Sequence, residues 1–127
     1  MPCNGRAGCT GSAPVSDLPI RPAATVILTR AGASGPEVLM GQRGASAAFM
    51  PSKYVFPGGA VDATDADVPL ARPLDPRAAR MLQAAPGPHA LAIAAIRELW
   101  EETGLALGQP GPWTGPVPEG WEGFAAR

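Results

Sequence analysis

Arg97-Glu98-Leu99-Trp100-Glu101-Glu102-Thr103-Gly104-Leu105 is the stretch on which the reading of this chain turns. It closes a longer run, His89 to Thr103, in which Ala and Leu dominate, no Gly or Pro intervenes, and Ala92, Ile96, Leu99 and Thr103 recur at helical spacing. The spacing predicts a helix over 89–103. Gly104 is placed to take the left-handed conformation that ends a helix, and Leu105 to fold back onto its apolar face. Glu98, Glu101 and Glu102 stand at i, i+3 and i+4, so three carboxylates leave one face about a turn apart. Like charges at that spacing repel by roughly a few tenths of a kcal/mol per pair, and Arg97 is the only Lys or Arg on the helix. Two readings account for such a face. It is a solvated acidic surface, since Glu is a good helix former, or a set of hard oxygen ligands for a divalent cation such as Mg²⁺.

Upstream, Ala23 to Arg30 and Glu37 to Arg43 read as strands, and the turn residues of Ala31 to Pro36 join them into an antiparallel pair. Tyr54-Val55-Phe56 is a third strand candidate, cut off by Pro57, whose missing N–H cannot continue a ladder. Gly58-Gly59 then reads as a turn in which backbone groups can approach a ligand closely. From Val61 to Pro88 the chain reads as irregular, with a short helix over 77–85, and 109–127 is irregular until Trp121 to Ala126. Residues 1–20, rich in Gly, Ser, Pro and Ala, read as a flexible tail that cannot bury enough surface to offset its ordering entropy.

A chain of 127 residues holds one domain. Ten Lys and Arg against eleven Asp and Glu leave a net charge of −1, so there is no basic field for polymeric nucleic acid or an anionic membrane surface. Sixteen Gly and sixteen Pro imply a small ordered core with long irregular segments. There is no apolar run long enough to span a bilayer and no secretory signal pattern at the start, which reads as a soluble, cytoplasmic protein. Cys3 and Cys9 have no further Cys to complete a zinc site and read as free thiols, a bridge between them staying open.

The helix motif, joined to Phe56-Pro57-Gly58-Gly59, resembles the signature of the Nudix hydrolase family, G-x5-E-x7-R-E-U-x-E-E-x-G-U with U aliphatic. Arg97, Glu98, Leu99, Glu101, Glu102, Gly104 and Leu105 each occupy a signature position. Started at Gly59, the signature puts Asp65 where the family has its first Glu, and the Arg falls at 97 rather than 73, an insertion of 24 residues. That insertion, the Gly58, Gly59, Asp62, Asp65 opening and Ala48-Phe49-Met50-Pro51 upstream look like the branch that includes the peroxisomal coenzyme A diphosphatases and bacterial relatives.

The resemblance implies an α/β fold, the Nudix α/β/α sandwich with a mixed β-sheet. It places the domain at 21–127 with an insertion at about 63–88. Only 22 residues follow Leu105, so the sandwich is expected to be incomplete at the C-terminus and the chain looks truncated. The implied activity is Mg²⁺- or Mn²⁺-dependent hydrolysis of a nucleoside diphosphate linked to another group, coenzyme A or a nucleotide sugar, by water attack on phosphorus. Glu98, Glu101, Glu102 and the Gly59 carbonyl would be the metal ligands. Glu101 or Glu102 would serve as base, and Arg97 would orient a carboxylate of the motif.

Arg43 and Lys53 are candidate phosphate contacts or simple edge charges. His89 reads as an exposed residue at the helix start rather than an acid or base. Trp113 and Trp121 read as anchors of a loop on the core rather than platforms for a base. The competing function is a noncatalytic, truncated fragment acting as an interaction or oligomerising module, and a homodimer is the candidate assembly.

Overall fold

The structure, a computed structural model, describes residues 20–48 and 50–126. The tail read over 1–20, with Cys3 and Cys9, lies outside the described residues apart from Ile20, as does Phe49 of the upstream motif. The α/β class holds, built among the described residues from six short strands and three helices. The strands are β1 (Ala23–Thr25), β2 (Thr29–Gly32), β3 (Gly35–Val38), β4 (Gly41–Gln42), β5 (Tyr54–Val55) and β6 (Gly58–Ala60). The helices are α1 (Pro76–Met81), α2 (Pro88–Thr103) and α3 (Glu122–Ala125), with a 3-10 turn at Ala63–Ala66. Among the described residues the ladders are antiparallel pairs: β1 with β6, β2 with β3, and β4 with β5.

The strand expected over 23–30 is two strands because the chain changes partner within it. Val26 N–H donates to the Pro57 carbonyl (3.0 Å), the last rung of one ladder, and the Leu28 carbonyl accepts from Leu39 N–H (3.0 Å), the first rung of the next. Ile27, between the two, is 58% exposed. The run expected over 37–43 breaks in the same way into β3 and β4. Pro57 does end β5, but the paired glycines that follow are strand β6, not a turn. Facing Val26, Pro57 offers a carbonyl but no N–H, so the ladder loses one rung without losing its direction. In the β2–β3 hairpin, Arg30 Nε meets Glu37 Oε2 at 2.6 Å, but the two side chains are 82% and 51% exposed. Arg30→Ala should shift the unfolding free energy by no more than about 0.5 kcal/mol, read from a urea titration.

Helix α2 starts one residue earlier than the spacing predicts, with Pro88 at its first position, where a missing N–H costs nothing. Its end is as read: Gly104 is left-handed (φ 71°) and its N–H caps the Trp100 carbonyl. The buried stripe is wider than the periodicity implies, taking in Ala90, Leu91, Ile93, Ala94, Arg97 and Leu99 while Ala92 and Ile96 are half-buried. The reason is double coverage. Strands β1 and β6 pack on α2, and Ile93 joins Val68 and Trp121 in a buried cluster.

Leu105 does not fold back onto the helix; it is 48% exposed and lies beside Leu28 and Leu39, the residues that flank the β2–β3 hairpin. Helix α1 spans Pro76–Met81, short of the expected 85: Leu82 leaves the helical conformation (φ −93°, ψ 31°) while its N–H still bonds the Ala78 carbonyl. His89 is also a correction. It is half-buried, and its Nε2 donates to the Val68 carbonyl at 2.8 Å, tying the 61–88 segment to the start of α2.

The C-terminal stretch closes the core with aromatic rings. Trp121, 2% exposed, meets Phe124 nearly edge-on (centroids 5.2 Å apart) and Trp113 at 6.0 Å, while Trp100 meets Phe124 at 5.8 Å. A groove of about 1060 Å³ runs between this aromatic group, residues 68–72 and 106–114.

Candidate active site

Arg97 is the centre around which the acidic residues are arranged. It is 6% exposed, and the turn of α2 that carries it faces the end of β6, so its guanidinium must find partners inside the protein. Nε donates to Asp65 Oδ1 (2.9 Å) and Nη2 to Asp65 Oδ2 (3.0 Å), a two-pronged pair with a carboxylate that is itself fully buried. Nη2 also donates to the Ala60 carbonyl (2.9 Å), fixing the helix to the last residue of β6. Nη1 takes the two nearest glutamates, Glu98 Oε1 at 2.9 Å and Glu101 Oε2 at 3.2 Å. The bonds to Asp65 push the guanidinium pKa further up, outweighing the opposing effect of burial.

Asp65 reaches Arg97 despite its short side chain because the 3-10 turn at Ala63–Ala66 carries its backbone in. Its Oδ2 also accepts from Asp62 N–H at 2.8 Å, which braces the turn against the carboxylate it presents. Asp62 lies 3.7 Å from Nη2 and is half-exposed, a peripheral member of the group.

The glutamates divide between Arg97 and the glycines of β6. Glu98 lies over Gly59: a Cβ there would collide with the Glu98 carboxyl carbon and stand 2.5 Å from both of its oxygens. Only glycine leaves the carboxylate that space. Burial pushes the Glu98 carboxyl pKa up; the Arg97 bond opposes this, and the charges of Glu101 and Glu102 add to it. Glu102 reaches the neighbouring residue, its Oε2 accepting from Gly58 N–H at 3.2 Å. The register explains why that N–H is free to be used. Rungs at Val26–Pro57 and Pro22–Val61 make Thr25–Gly58 a non-hydrogen-bonded pair, so Gly58 N–H points away from β1.

Arg97, Glu98, Glu101, Glu102 and Gly59 are therefore brought together, while Arg43 and Lys53 are not. Arg43 N–H donates to the Lys53 carbonyl (3.0 Å), so those two residues face each other across the β4–β5 ladder. Neither shares a hydrogen bond or ion pair with the glutamates among the described residues. Arg43 Nε is buried without a hydrogen-bond partner. Two contributors were absent from the set picked out by sequence. Asp65, seen there only as a signature position, is the buried anchor of Arg97, and Gly58 holds Glu102 by its N–H. The paired glycines were the only sequence signal for the second.

Among the described residues no three His, Cys, Asp or Glu side chains converge as a ready-made metal cage. Glu98 and Glu101 are turned onto Arg97 and Glu102 onto Gly58. The residues nonetheless suit a hard divalent cation. All the donors are oxygens, the space over Gly59 is kept for a carboxylate, and that carboxylate's charged form is disfavoured by burial and by its neighbours, a penalty a cation would offset.

The profile of the NUDIX domain matches residues 19–123, from before β1 into α3. The chain belongs to the Nudix family. It is 36% identical over 137 aligned residues to acyl-coenzyme A diphosphatase NUDT19 of Gallus gallus, an alignment covering 77% of this chain and 36% of that protein. It is 40% identical over 85 residues to a Caenorhabditis elegans protein assigned to the same family as nudix hydrolase 7, covering 67% of this chain and 22% of that one. The crystal structure of a NUDIX hydrolase from Alicyclobacillus acidocaldarius superposes with a TM-score of 0.55 at 34% identity, over 72% of this chain and 40% of that one. This Nudix chain thus spans between 22% and 40% of the length of these three relatives. No helix among the described residues is long and apolar enough to cross a membrane.

Proposed function

We propose that this Nudix chain hydrolyses a nucleoside diphosphate linked to another moiety, with coenzyme A or its acyl esters the first candidates and ADP-ribose-type nucleotide sugars the second. The observation that carries the reading is the Glu98 carboxylate lying over Gly59, beside the Glu102–Gly58 bond. Similarity to a protein named an acyl-coenzyme A diphosphatase supports the order of candidates.

Glu98, Glu101 and Glu102 would hold Mg²⁺ or Mn²⁺; the Gly59 carbonyl, expected as a further ligand, is turned toward Ala24 by the same register that frees Gly58 N–H and is dropped from the set. The cation, when bound, would polarise the diphosphate oxygens and lower the pKa of a water. The chain's own residues do the rest. Arg97, gripped by Asp65 and Ala60, holds the Glu98 and Glu101 carboxylates in place and limits how far their negative charge pushes them apart. Glu101 or Glu102, both exposed, accepts a proton from the attacking water as its oxygen bonds to phosphorus. The bridging P–O bond breaks and its electron pair leaves with the second phosphate. Arg43 and Lys53 supply positive charge along the β4–β5 edge for a phosphate of the substrate, and the partnerless Arg43 Nε is the donor to be satisfied there.

The test is product release from coenzyme A, acetyl-coenzyme A, ADP-ribose and dinucleoside polyphosphates with Mg²⁺ or Mn²⁺. Absence of turnover on all of them by folded protein would favour the noncatalytic module. Glu102→Gln should lower the Mg²⁺-dependent rate at least about tenfold with the circular-dichroism spectrum unchanged. Equal rates in variant and parent would remove Glu102 from the ligand set.

A further inference from the structure

Thr103, the variable residue of the Glu-Glu-x-Gly motif, has two hydrogen bonds that join the helix to the chain leaving it. Its Oγ1 donates to the Leu99 carbonyl (2.6 Å) and accepts from Leu105 N–H (3.2 Å). Leu99 is fully buried, so one end of this bridge is fixed in the core; the other end lies past the left-handed Gly104, where no helical bond holds the backbone.

Between Leu99 and Leu105 lie Glu101 and Glu102, and every residue from Trp100 to Leu105, Thr103 included, is exposed or half-buried. The last turn of a helix is where its backbone frays. Here it carries the Glu102 carboxylate, bonded to Gly58 N–H across 44 residues of sequence at 3.2 Å. That bond holds the turn from the sheet side alone; on the helix side stand the Gly104 N–H bond to the Trp100 carbonyl (2.8 Å) and the Thr103 hydroxyl.

We infer that Thr103 is a positioning residue: its hydroxyl locks the last turn of α2 so that Glu102 stays on Gly58 of β6. The inference rests on the proposed metal-dependent reading only for its consequence. The positional effect itself is a property of the metal-free protein. The bond to the Leu99 carbonyl does not by itself stabilise the helix; it fixes the hydroxyl oxygen where it satisfies the Leu105 N–H that Gly104 would otherwise leave to water. Serine can make both bonds. Valine, with the same shape, can make neither.

The experiment compares parent, Thr103→Val, Thr103→Ser and, as a control at a distant cap, Asp75→Ala. Asp75 caps α1 by accepting from the Arg77 and Ala78 N–H groups and touches none of the glutamates. Amide exchange at Gly58 and Leu105 is followed by NMR without metal, and Mn²⁺ binding by electron paramagnetic resonance. Thr103→Val should speed exchange at Gly58 about tenfold and weaken Mn²⁺ binding by a similar factor. Thr103→Ser should return both to within about twofold of parent, and Asp75→Ala should move neither.

Faster exchange at Leu105 with Gly58 at the parental rate would overturn the inference, because the bridge would then be local only. Equal movement in Asp75→Ala would overturn it too, by showing a general loss of stability. A parent that takes up no Mn²⁺ sinks the metal-dependent reading and leaves the Gly58 exchange to decide this one. Should the valine variant not fold, Thr103→Ala, which lacks the hydroxyl but favours helix, carries the same test.

Discussion

Asp65→Ala should lower the unfolding free energy by about 3–5 kcal/mol, the largest stability effect expected of any single side chain here. Asp65 and Arg97 are both enclosed, at 0% and 6% exposure, and the carboxylate supplies two of the guanidinium's bonds. Alanine would leave a buried cation leaning on Glu98, Glu101 and the Ala60 carbonyl, and would strip the 3-10 turn of its bond to Asp62 N–H. Chemical denaturation monitored by tryptophan fluorescence reads the change directly, since Trp121 belongs to the core that α2 builds. A loss under about 1 kcal/mol would mean that water reaches Arg97 far more easily than its burial implies.

The energetic worth of the pair is nevertheless not what keeps it in the fold. Desolvating two charges offsets most of their attraction, so Asp65→Leu combined with Arg97→Met should recover much of the lost stability. That double variant should still fail to hydrolyse any diphosphate, because Glu98 and Glu101 would lose the Nη1 that holds them. Separate recovery of stability and activity assigns the pair to orienting carboxylates rather than to holding the protein folded. Joint recovery would show that the glutamates find their places without Arg97.

The helix was readable because its signal is local: alanine and leucine at helical spacing and a glycine where the chain must turn left-handed. The acidic face was readable for the same reason, three spacings along one element. The strands were not, because the reason a continuous run such as Ala23 to Arg30 splits lies in two different partners, one at Pro57 and one at Leu39. Nothing within the run encodes that exchange. His89 failed likewise, since its acceptor is a carbonyl 21 residues earlier that only the path of the 61–88 segment brings close. Asp65 sits between these cases. Its spacing from Gly59 pointed to it, but its burial and its grip on Arg97 depend on a 3-10 turn that no periodicity announces.

Gly59→Ala should cut the rate of diphosphate hydrolysis by about a hundredfold while leaving the melting temperature within a few degrees of parent. The two halves of that expectation come from different atoms. Gly59 sits in an extended strand that alanine can adopt, and the atoms its Cβ would strike are the far end of the Glu98 side chain, which can swing away at little cost to stability. Swinging away is the functional damage, because the space over residue 59 is where the carboxylate has to be. Gly58→Ala supplies the contrast. Its Cβ would strike the Ala24 carbonyl and stand 2.7 Å from Thr25 Cα, both backbone, so the β1–β6 ladder itself must shift and stability must fall. Adjacent glycines should therefore fail differently, the first by unfolding and the second by losing activity in a folded protein. If Gly59→Ala hydrolyses diphosphates at the parental rate, the placement of Glu98 over β6 has no part in catalysis, and the ligand set would have to be sought among Glu101, Glu102 and Asp62 instead.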